Sequence, residues 1–217
     1  MQDHVRSKWD KWYLEEESDL ADVKYDPWIF LHTSPFALKG NERILDLGCG
    51  RGYDSQYLEK LGKKIIPADY SWGALTRSRR LLNNPCPVQF DMRDGFPFTK
   101  LSFKLIVANL SLHYFSKILT EKIIHEMGVL IMDEGCLVAR VNSKKDHGFI
   151  SASTNYESVI EEDFFIYQGI PRRFFDKDSL EELFANGWEI LFLEEKKIDR
   201  YEKPKVLWEI IARKDHS

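Results

Sequence analysis

Short apolar runs and stretches of helical period alternate along most of the chain. Arg43–Leu47, Lys64–Ala68, Pro87–Phe90, Phe103–Ala108 and Cys136–Val141 are brief and rich in Ile, Leu and Val, which predicts buried strands. Between them Tyr53, Tyr57, Leu58 and Leu61 share one helical face, as do Leu75, Leu81 and Leu82, and then Leu119, Ile123, Met127, Leu130 and Ile131. Parallel strands need long crossovers, and intervening helices supply both the crossover and the apolar cover, so the pattern predicts an α/β fold: an open parallel sheet with helices on both faces. Near the end the alternation changes. Asp176 can cap a helix carrying Leu180, Leu183 and Phe184, which Asn186-Gly187 would stop with a left-handed residue. Trp188–Leu193 and Val206–Ala212 then read as strands with no helix between them. Their charged connection, Glu194 to Lys205 with Pro204 inside it, predicts a solvated hairpin loop and an antiparallel last strand.

Two segments fall outside this alternation. Val5, Trp9, Trp12 and Tyr13 form an i, i+4, i+7, i+8 stripe ahead of the acidic Glu15-Glu16-Glu17, and residues 143–175 are longer than a plain connection should be. Each can cover a site. At 217 residues the chain fits one large domain or one domain with an appendage, taking roughly 150 residues per domain. No repeat or linker divides it. With 31 basic and 35 acidic residues the net charge is -4, which lacks the positive field that draws in phosphates and argues against nucleic acid as a partner. Cys49, Cys86 and Cys136 show no C-x-x-C or zinc spacing, so no metal site is expected and a reducing, cytoplasmic compartment fits best. No apolar stretch approaches the roughly 18 residues of a membrane span, and the first residues carry no secretory signal.

The chemistry concentrates in Ile44-Leu45-Asp46-Leu47-Gly48-Cys49-Gly50-Arg51-Gly52, an apolar strand running into three glycines and then a helix. Glycine is needed where the backbone takes positive φ or a ligand comes within a side chain's width. The spacing is G-x-G-x-G. A dinucleotide fold would show G-x-G-x-x-G, and Tyr53 stands where that pattern wants a small residue, which weakens a pyrophosphate reading. Asp69 ends the second strand, placed to accept hydrogen bonds from ribose hydroxyls, and Asp91 ends the third, within reach of an adenine amine. Together these describe an adenosine pocket without a phosphate cradle.

At this point the sequence resembles the class I S-adenosylmethionine-dependent methyltransferases. The matching residues are Leu45–Gly52, Asp69-Tyr70-Ser71, Asp91-Met92-Arg93-Asp94-Gly95-Phe96-Pro97-Phe98 and Phe103–Asn109. Leu110–Phe115 and the Trp-rich leading helix are most similar to the small tellurite-resistance and thiopurine-type branch. The resemblance implies a Rossmann-like, doubly wound seven-stranded sheet with an antiparallel last strand. It implies an N-terminal helical lid over residues 1–40 and a methyltransferase domain over 41–217, with a substrate-cap insertion at about 143–175. Gly48 and Gly50 would lie against the methionine part of the cofactor, Asp69 with Tyr70 against the ribose, and Asp91 with Met92 against the adenine. Asp46 would steady the loop and the methionine amine, while Asn109 and Leu110 would line the methyl side. His113 would position the acceptor or act as a base, and Trp12, Tyr13, Asn142 and Arg172 would contact it. Met132-Asp133-Glu134-Gly135 departs from the Lys-Pro-Gly-Gly of many relatives, which puts the turn before the fifth strand in question. The expected reaction is methyl transfer to a small-molecule or peptide acceptor. A noncatalytic S-adenosylmethionine-binding subunit and a nicotinamide-dependent oxidoreductase are the alternatives.

Overall fold

The computed structural model describes residues 2–15, 26, 28–29, 42–146, 148–149, 154–199 and 204–215. Parts of the anticipated lid (16–25, 27 and 30–40), of the insertion (147 and 150–153) and of the final hairpin (200–203) lie outside the described residues. The elements run α1 (Gln2–Glu15), β1 (Arg43–Leu47), α2 (Tyr53–Lys60), β2 (Lys64–Asp69), α3 (Trp72–Leu81), β3 (Val88–Gln89), β4 (Phe103–Asn109), α4 (Lys117–Leu130) and β5 (Ile131–Asn142). They continue through β6 (Ser158–Glu161), β7 (Phe164–Tyr167), β8 (Ile170–Arg173), α5 (Lys177–Leu183), β9 (Trp188–Ile198) and β10 (Lys205–Lys214).

One sheet of seven strands has the order β3-β2-β1-β4-β5-β10-β9. Strands β1 to β5 pair in parallel, and β10 runs antiparallel to both β5 and β9, so β10 alone is reversed. The anticipated mostly parallel sheet with an antiparallel last strand is the observed one. Successive residues of a strand point to opposite faces, and here both faces are dry. Leu45, Leu47, Ile106, Ala108, Leu137 and Ala139 pack with Ile123 and Met127 of α4, Leu180 of α5 and Phe184 just beyond it. Ile44, Leu105, Val107, Cys136 and Val138 pack on the other face with Leu58 of α2, Trp28 and Ile29. Burial on both faces is why these strands read as continuous apolar runs rather than alternating ones.

The charged positions inside the sheet are paired. Arg140 of β5 faces Glu209 of β10 in register, donates from Nε to Glu209 Oε1 at 2.9 Å and from Nη1 to Asp26 at 2.6 Å, and lies over the Trp28 ring. Lys196 of β9 reaches the second Glu209 oxygen at 2.9 Å. These pairs correct the anticipated hairpin loop. β9 continues to Ile198, because Glu195 and Lys196 find partners in Ser143, Lys145 and Glu209 instead of solvent.

The turn before the fifth strand also differs from expectation. β5 already begins at Ile131 opposite Phe103, and pairing resumes with Leu105 opposite Cys136, so Met132–Gly135 bulge out of the ladder. Glu134 takes the positive φ, at 55°, that the Lys-Pro-Gly-Gly of relatives would give to glycine. β3 is shorter than anticipated, since Pro85 and Pro87 cannot donate to a ladder. Asp176 caps α5 as anticipated, in a reciprocal box with Ser179, and Gly187 follows at φ 79°. The insertion forms a separate three-stranded antiparallel sheet, β6-β7-β8, rather than an irregular loop. Among the described residues no helix is long and apolar enough to cross a membrane.

Candidate active site

The strand order reverses between β1 and β4, the switch point where open α/β sheets bind ligands beyond their carboxyl ends. A cavity of about 490 Å³ opens there. β1 delivers the glycine loop, β2 delivers Asp69 and Tyr70, the turn after β3 delivers Asp91 and Met92, and β4 delivers Asn109 and Leu110.

Gly48 and Gly50 both take positive φ, at 73° and 53°, and their backbone nitrogens turn toward different neighbours. The Gly48 and Cys49 amides donate to the Ala68 carbonyl at 2.8 and 3.0 Å, tying the loop to the end of β2. A Cβ on Gly48 would come 2.3 Å from Cβ of Ser111, part of the fold itself. A Cβ on Gly50 would come 2.7 Å from the Tyr13 hydroxyl, which belongs to α1. The first glycine is therefore required by packing against Ser111 and the second by the approach of the Tyr13 side chain to the loop.

Asp69 accepts from the Gly50 amide at 2.9 Å and from the Ser71 amide at 2.8 Å. Loss of water around it still outweighs these bonds and pushes its pKa up to about 6. Asp91 differs. Burial would raise its pKa, but Arg93 donates to it from its backbone amide at 3.0 Å and its guanidinium at 2.8 Å, which holds the carboxyl below its usual range. The Arg93 guanidinium and Arg6 of α1 both lie over the Tyr70 ring, 5.2 and 4.9 Å from its centre.

Asp46 is buried beneath the loop and does not line the cavity. The Ser55 hydroxyl donates to it at 2.6 Å, and burial with the neighbouring Asp54 charge pushes its pKa to about 8. Asp54, in the first turn of α2, lines the cavity in its place, accepting from Trp28 Nε1 at 3.1 Å and Asn109 Nδ2 at 2.7 Å.

The aromatic stripe adds to the lining. Val5, Trp9, Trp12 and Tyr13 of α1 all line the cavity. Asp10, on the far side of the stripe, seats the helix on the start of α3: its carboxylate accepts from the Ser71 hydroxyl at 2.6 Å and the Gly73 amide at 3.0 Å. Arg77 of α3 donates to the Tyr13 carbonyl at 2.8 Å, and Lys8 donates to the Gln168 carbonyl in the β7–β8 turn at 3.2 Å.

The cavity thus brings together Gly48, Gly50, Asp69, Tyr70, Asp91, Met92, Asn109, Leu110, Trp12 and Tyr13 from the residues anticipated by sequence. It leaves out His113, Asn142 and Arg172 as well as Asp46. His113 is buried with its ring centre 4.3 Å from that of Tyr114, and its Nδ1 has no hydrogen-bond partner. Burial, with the positive charges of Lys205 and Arg172 nearby, drives its pKa well below 6.5. Asn142 is turned into the protein, donating to the Arg173 carbonyl. Arg172 follows Pro171, and successive residues of a strand face opposite ways: Pro171 meets the cavity, while Arg172 lies over Tyr167 on the other side of the small sheet.

Several lining residues were not singled out by sequence reading: Asp54, Arg93, Ser111, Tyr114, Phe115 and Pro171. Asp54 sits in the first helical turn after the glycine loop and Arg93 two residues after Asp91, so both had a local signal. Pro171 had none, because only the fold of the insertion brings it to the cavity.

Comparison with known proteins agrees with this geometry. Residues 44–135 match the family model described as a methyltransferase domain. The chain superposes on 1,6-didemethyltoxoflavin-N1-methyltransferase of Burkholderia thailandensis, solved with 1,6-didemethyltoxoflavin and S-adenosylhomocysteine, with a TM-score of 0.72, covering 98% of this chain and 88% of that one at 16% identity. The fold is that of the class I S-adenosylmethionine-dependent methyltransferases. Among curated relatives, the human mitochondrial arginine-hydroxylase NDUFAF5 is 40% identical over 106 residues, which is 47% of this chain and 27% of that protein. Demethylmenaquinone methyltransferase of Clavibacter sepedonicus is 33% identical over 115 residues, 52% of this chain and 45% of that protein. The chain spans less than half the length of these curated relatives.

Proposed function

We propose that the chain binds S-adenosylmethionine in this cavity and transfers its methyl group to a small acceptor. The observation that carries this reading is the convergence of the glycine loop, Asp69 and Asp91 on one cavity at the switch point of the methyltransferase fold. The residues present fit the group. Asp69 holds the ribose hydroxyls, Tyr70 flanks them, and Asp91 with Met92 meets the adenine. Gly48, packed on Ser111, and Gly50 hold the loop against the methionine part, with Asp46 supporting it from below, and Asn109 and Leu110 line the methyl side. Bound S-adenosylmethionine supplies a methyl group already activated on a sulfonium. The chain's own part is then to orient the acceptor and exclude water, and α1 serves as the lid, with the 143–175 insertion contributing the wall at Pro171. A dinucleotide reading fits less well: the Asp54 carboxylate stands in the first turn of α2, where a pyrophosphate would need a free helix N-terminus.

A second reading rests on the human relative, whose name gives it as an arginine hydroxylase. Its 40% identity falls on 106 residues, about half of this chain. Incubating the chain with S-adenosylmethionine carrying a labelled methyl and a panel of aromatic, amine, thiol and guanidinium compounds separates the readings. Labelled product with equimolar S-adenosylhomocysteine is expected. Binding of S-adenosylhomocysteine with no transfer to any compound would favour the hydroxylase or noncatalytic reading, and absence of binding would end the cofactor assignment.

His113 is assigned a positioning part through Tyr114, whose ring it supports. Its imidazole is neutral in the folded chain, whereas in the unfolded chain it takes a proton below about 6.5. Stability should therefore fall as pH drops through that value. His113→Asn should flatten this acid loss in thermal melts at pH 5 to 8 and cost no more than about tenfold in turnover, against the 10² to 10⁴ of a lost general base. Disappearance of a titration from the turnover profile would instead make it the base.

A further inference from the structure

Part of the cavity lining is built of rings. Trp9 meets Tyr114 edge-on with centres 5.6 Å apart, and Phe115 and Pro171 complete that wall. The charged groups of the lining are engaged with protein groups. Arg93 pairs with Asp91, Arg51 lies over Trp12, and Asp54 accepts from Trp28 and Asn109. No lysine or histidine lines the cavity among the described residues. An anionic acceptor would give up its water here beside the carboxylates of Asp54 and Asp69, with Arg93 already paired to Asp91, whereas a flat uncharged ring loses little and gains edge and offset contacts.

Asn109 adds a polar requirement. A carboxylate only accepts, so the amide nitrogen of Asn109 must be the atom that faces Asp54, and this fixes its Oδ1 as an acceptor. That oxygen is buried without a hydrogen-bond partner, on a residue that lines the cavity, and an N–H brought against that wall would supply one. The lining also offers no histidine or lysine to remove a proton beforehand. An aromatic amine is uncharged at neutral pH with its lone pair available, whereas an aliphatic amine arrives protonated.

We propose that the methyl acceptor is an uncharged planar aromatic amine, its ring against Trp9, Tyr114 and Phe115 and its N–H toward Asn109. This rests on the S-adenosylmethionine reading above. In the transfer the amine nitrogen's lone pair forms the bond to the methyl carbon while the carbon–sulfur bond breaks. The bonding pair stays on sulfur, giving S-adenosylhomocysteine, and the nitrogen's extra proton leaves to water.

The test is calorimetric titration of the full chain, saturated with S-adenosylhomocysteine, with probes that share one ring system: 2-aminonaphthalene, naphthalene, 2-naphthoate and 2-naphthylmethylammonium. 2-Aminonaphthalene should bind about tenfold or more tighter than either ionised probe, the equivalent of one strong polar contact or one avoided charge burial. Asn109→Ser should erase its advantage over naphthalene, and Tyr114→Leu should weaken both uncharged probes. S-Adenosylhomocysteine affinity should stay within about twofold in Tyr114→Leu, a shift too small to count as a lost contact. Tighter binding of naphthoate or naphthylmethylammonium, or an amine preference untouched by Asn109→Ser, overturns the proposal while leaving the cofactor reading standing. Failure of S-adenosylhomocysteine itself to bind overturns both.

Discussion

Gly50→Val should abolish S-adenosylhomocysteine binding, a loss of at least about a hundredfold, while the sheet stays folded. A branched side chain at φ 53° is strained by about 1 to 3 kcal/mol. Its Cβ would also occupy the place now 2.7 Å from the Tyr13 hydroxyl. That contact is with the tip of a side chain on α1, so the fold can yield by displacing Tyr13, but the ligand space cannot be kept. Gly48→Val makes the control, because its Cβ would meet Cβ of Ser111 at 2.3 Å and Ser111 donates to the Leu47 carbonyl at 2.6 Å. There the cost falls on stability. Thermal melts and calorimetric titration of both variants separate the two glycines. Wild-type affinity in Gly50→Val would remove the glycine loop from the site.

Asp69→Ala should weaken S-adenosylhomocysteine by about 1 to 3 kcal/mol, the worth of hydrogen bonds to a charged acceptor, or roughly five- to 150-fold. The pH dependence carries more information. The native carboxyl titrates near 6 against 3.8 when unpaired with the fold. Between those values the folded chain keeps a proton that the unfolded chain has released, so raising the pH through the window lowers the stability of the ligand-free protein. Ribose hydroxyls favour the ionised form, so the melting-temperature increase given by S-adenosylhomocysteine should grow from pH 5 to 7 and then level off. Asp46, pushed to about 8 for a similar reason, contributes its own slope, but that slope is present with and without ligand and cancels in the difference. Asp69→Asn should remove the pH-dependence of the ligand effect. If the difference stays flat in the wild type, Asp69 does not contact the ligand.

The alternation of apolar runs and helical faces was enough to predict a parallel sheet covered on both sides, because both cores are built from near-neighbour periodicity within each element. Likewise the glycine loop, Asp69 and Asp91 were readable because each sits at the end of its own strand, where the backbone alone directs it to one edge. Asp54 and Arg93 were within reach of the same reasoning and were missed because they follow the marked residue by one or two helical positions. By contrast, Asp46, His113, Asn142 and Arg172 carry side chains suited to the chemistry, and the structure still places them outside the cavity. Asp46 and Asn142 turn inward to Ser55 and the Arg173 carbonyl, His113 is buried behind Tyr114, and the pleat of β8 sends Arg172 away from the face that Pro171 presents.

What the sequence determined by itself was whatever depends on local order: strand and helix identity, the reversed last strand, the glycine turn and the acids at strand ends. The tertiary structure alone decided which way each remaining side chain points and what lies across from it. Asp10 meets Ser71 across 61 positions and Lys8 meets Gln168 across 160. The extent of β9 depended on partners in β5 and β10 that its charged residues could not announce. Contacts of such separation leave no periodic trace in the chain, since they are selected by the packing of whole elements against one another rather than by the spacing of residues within one.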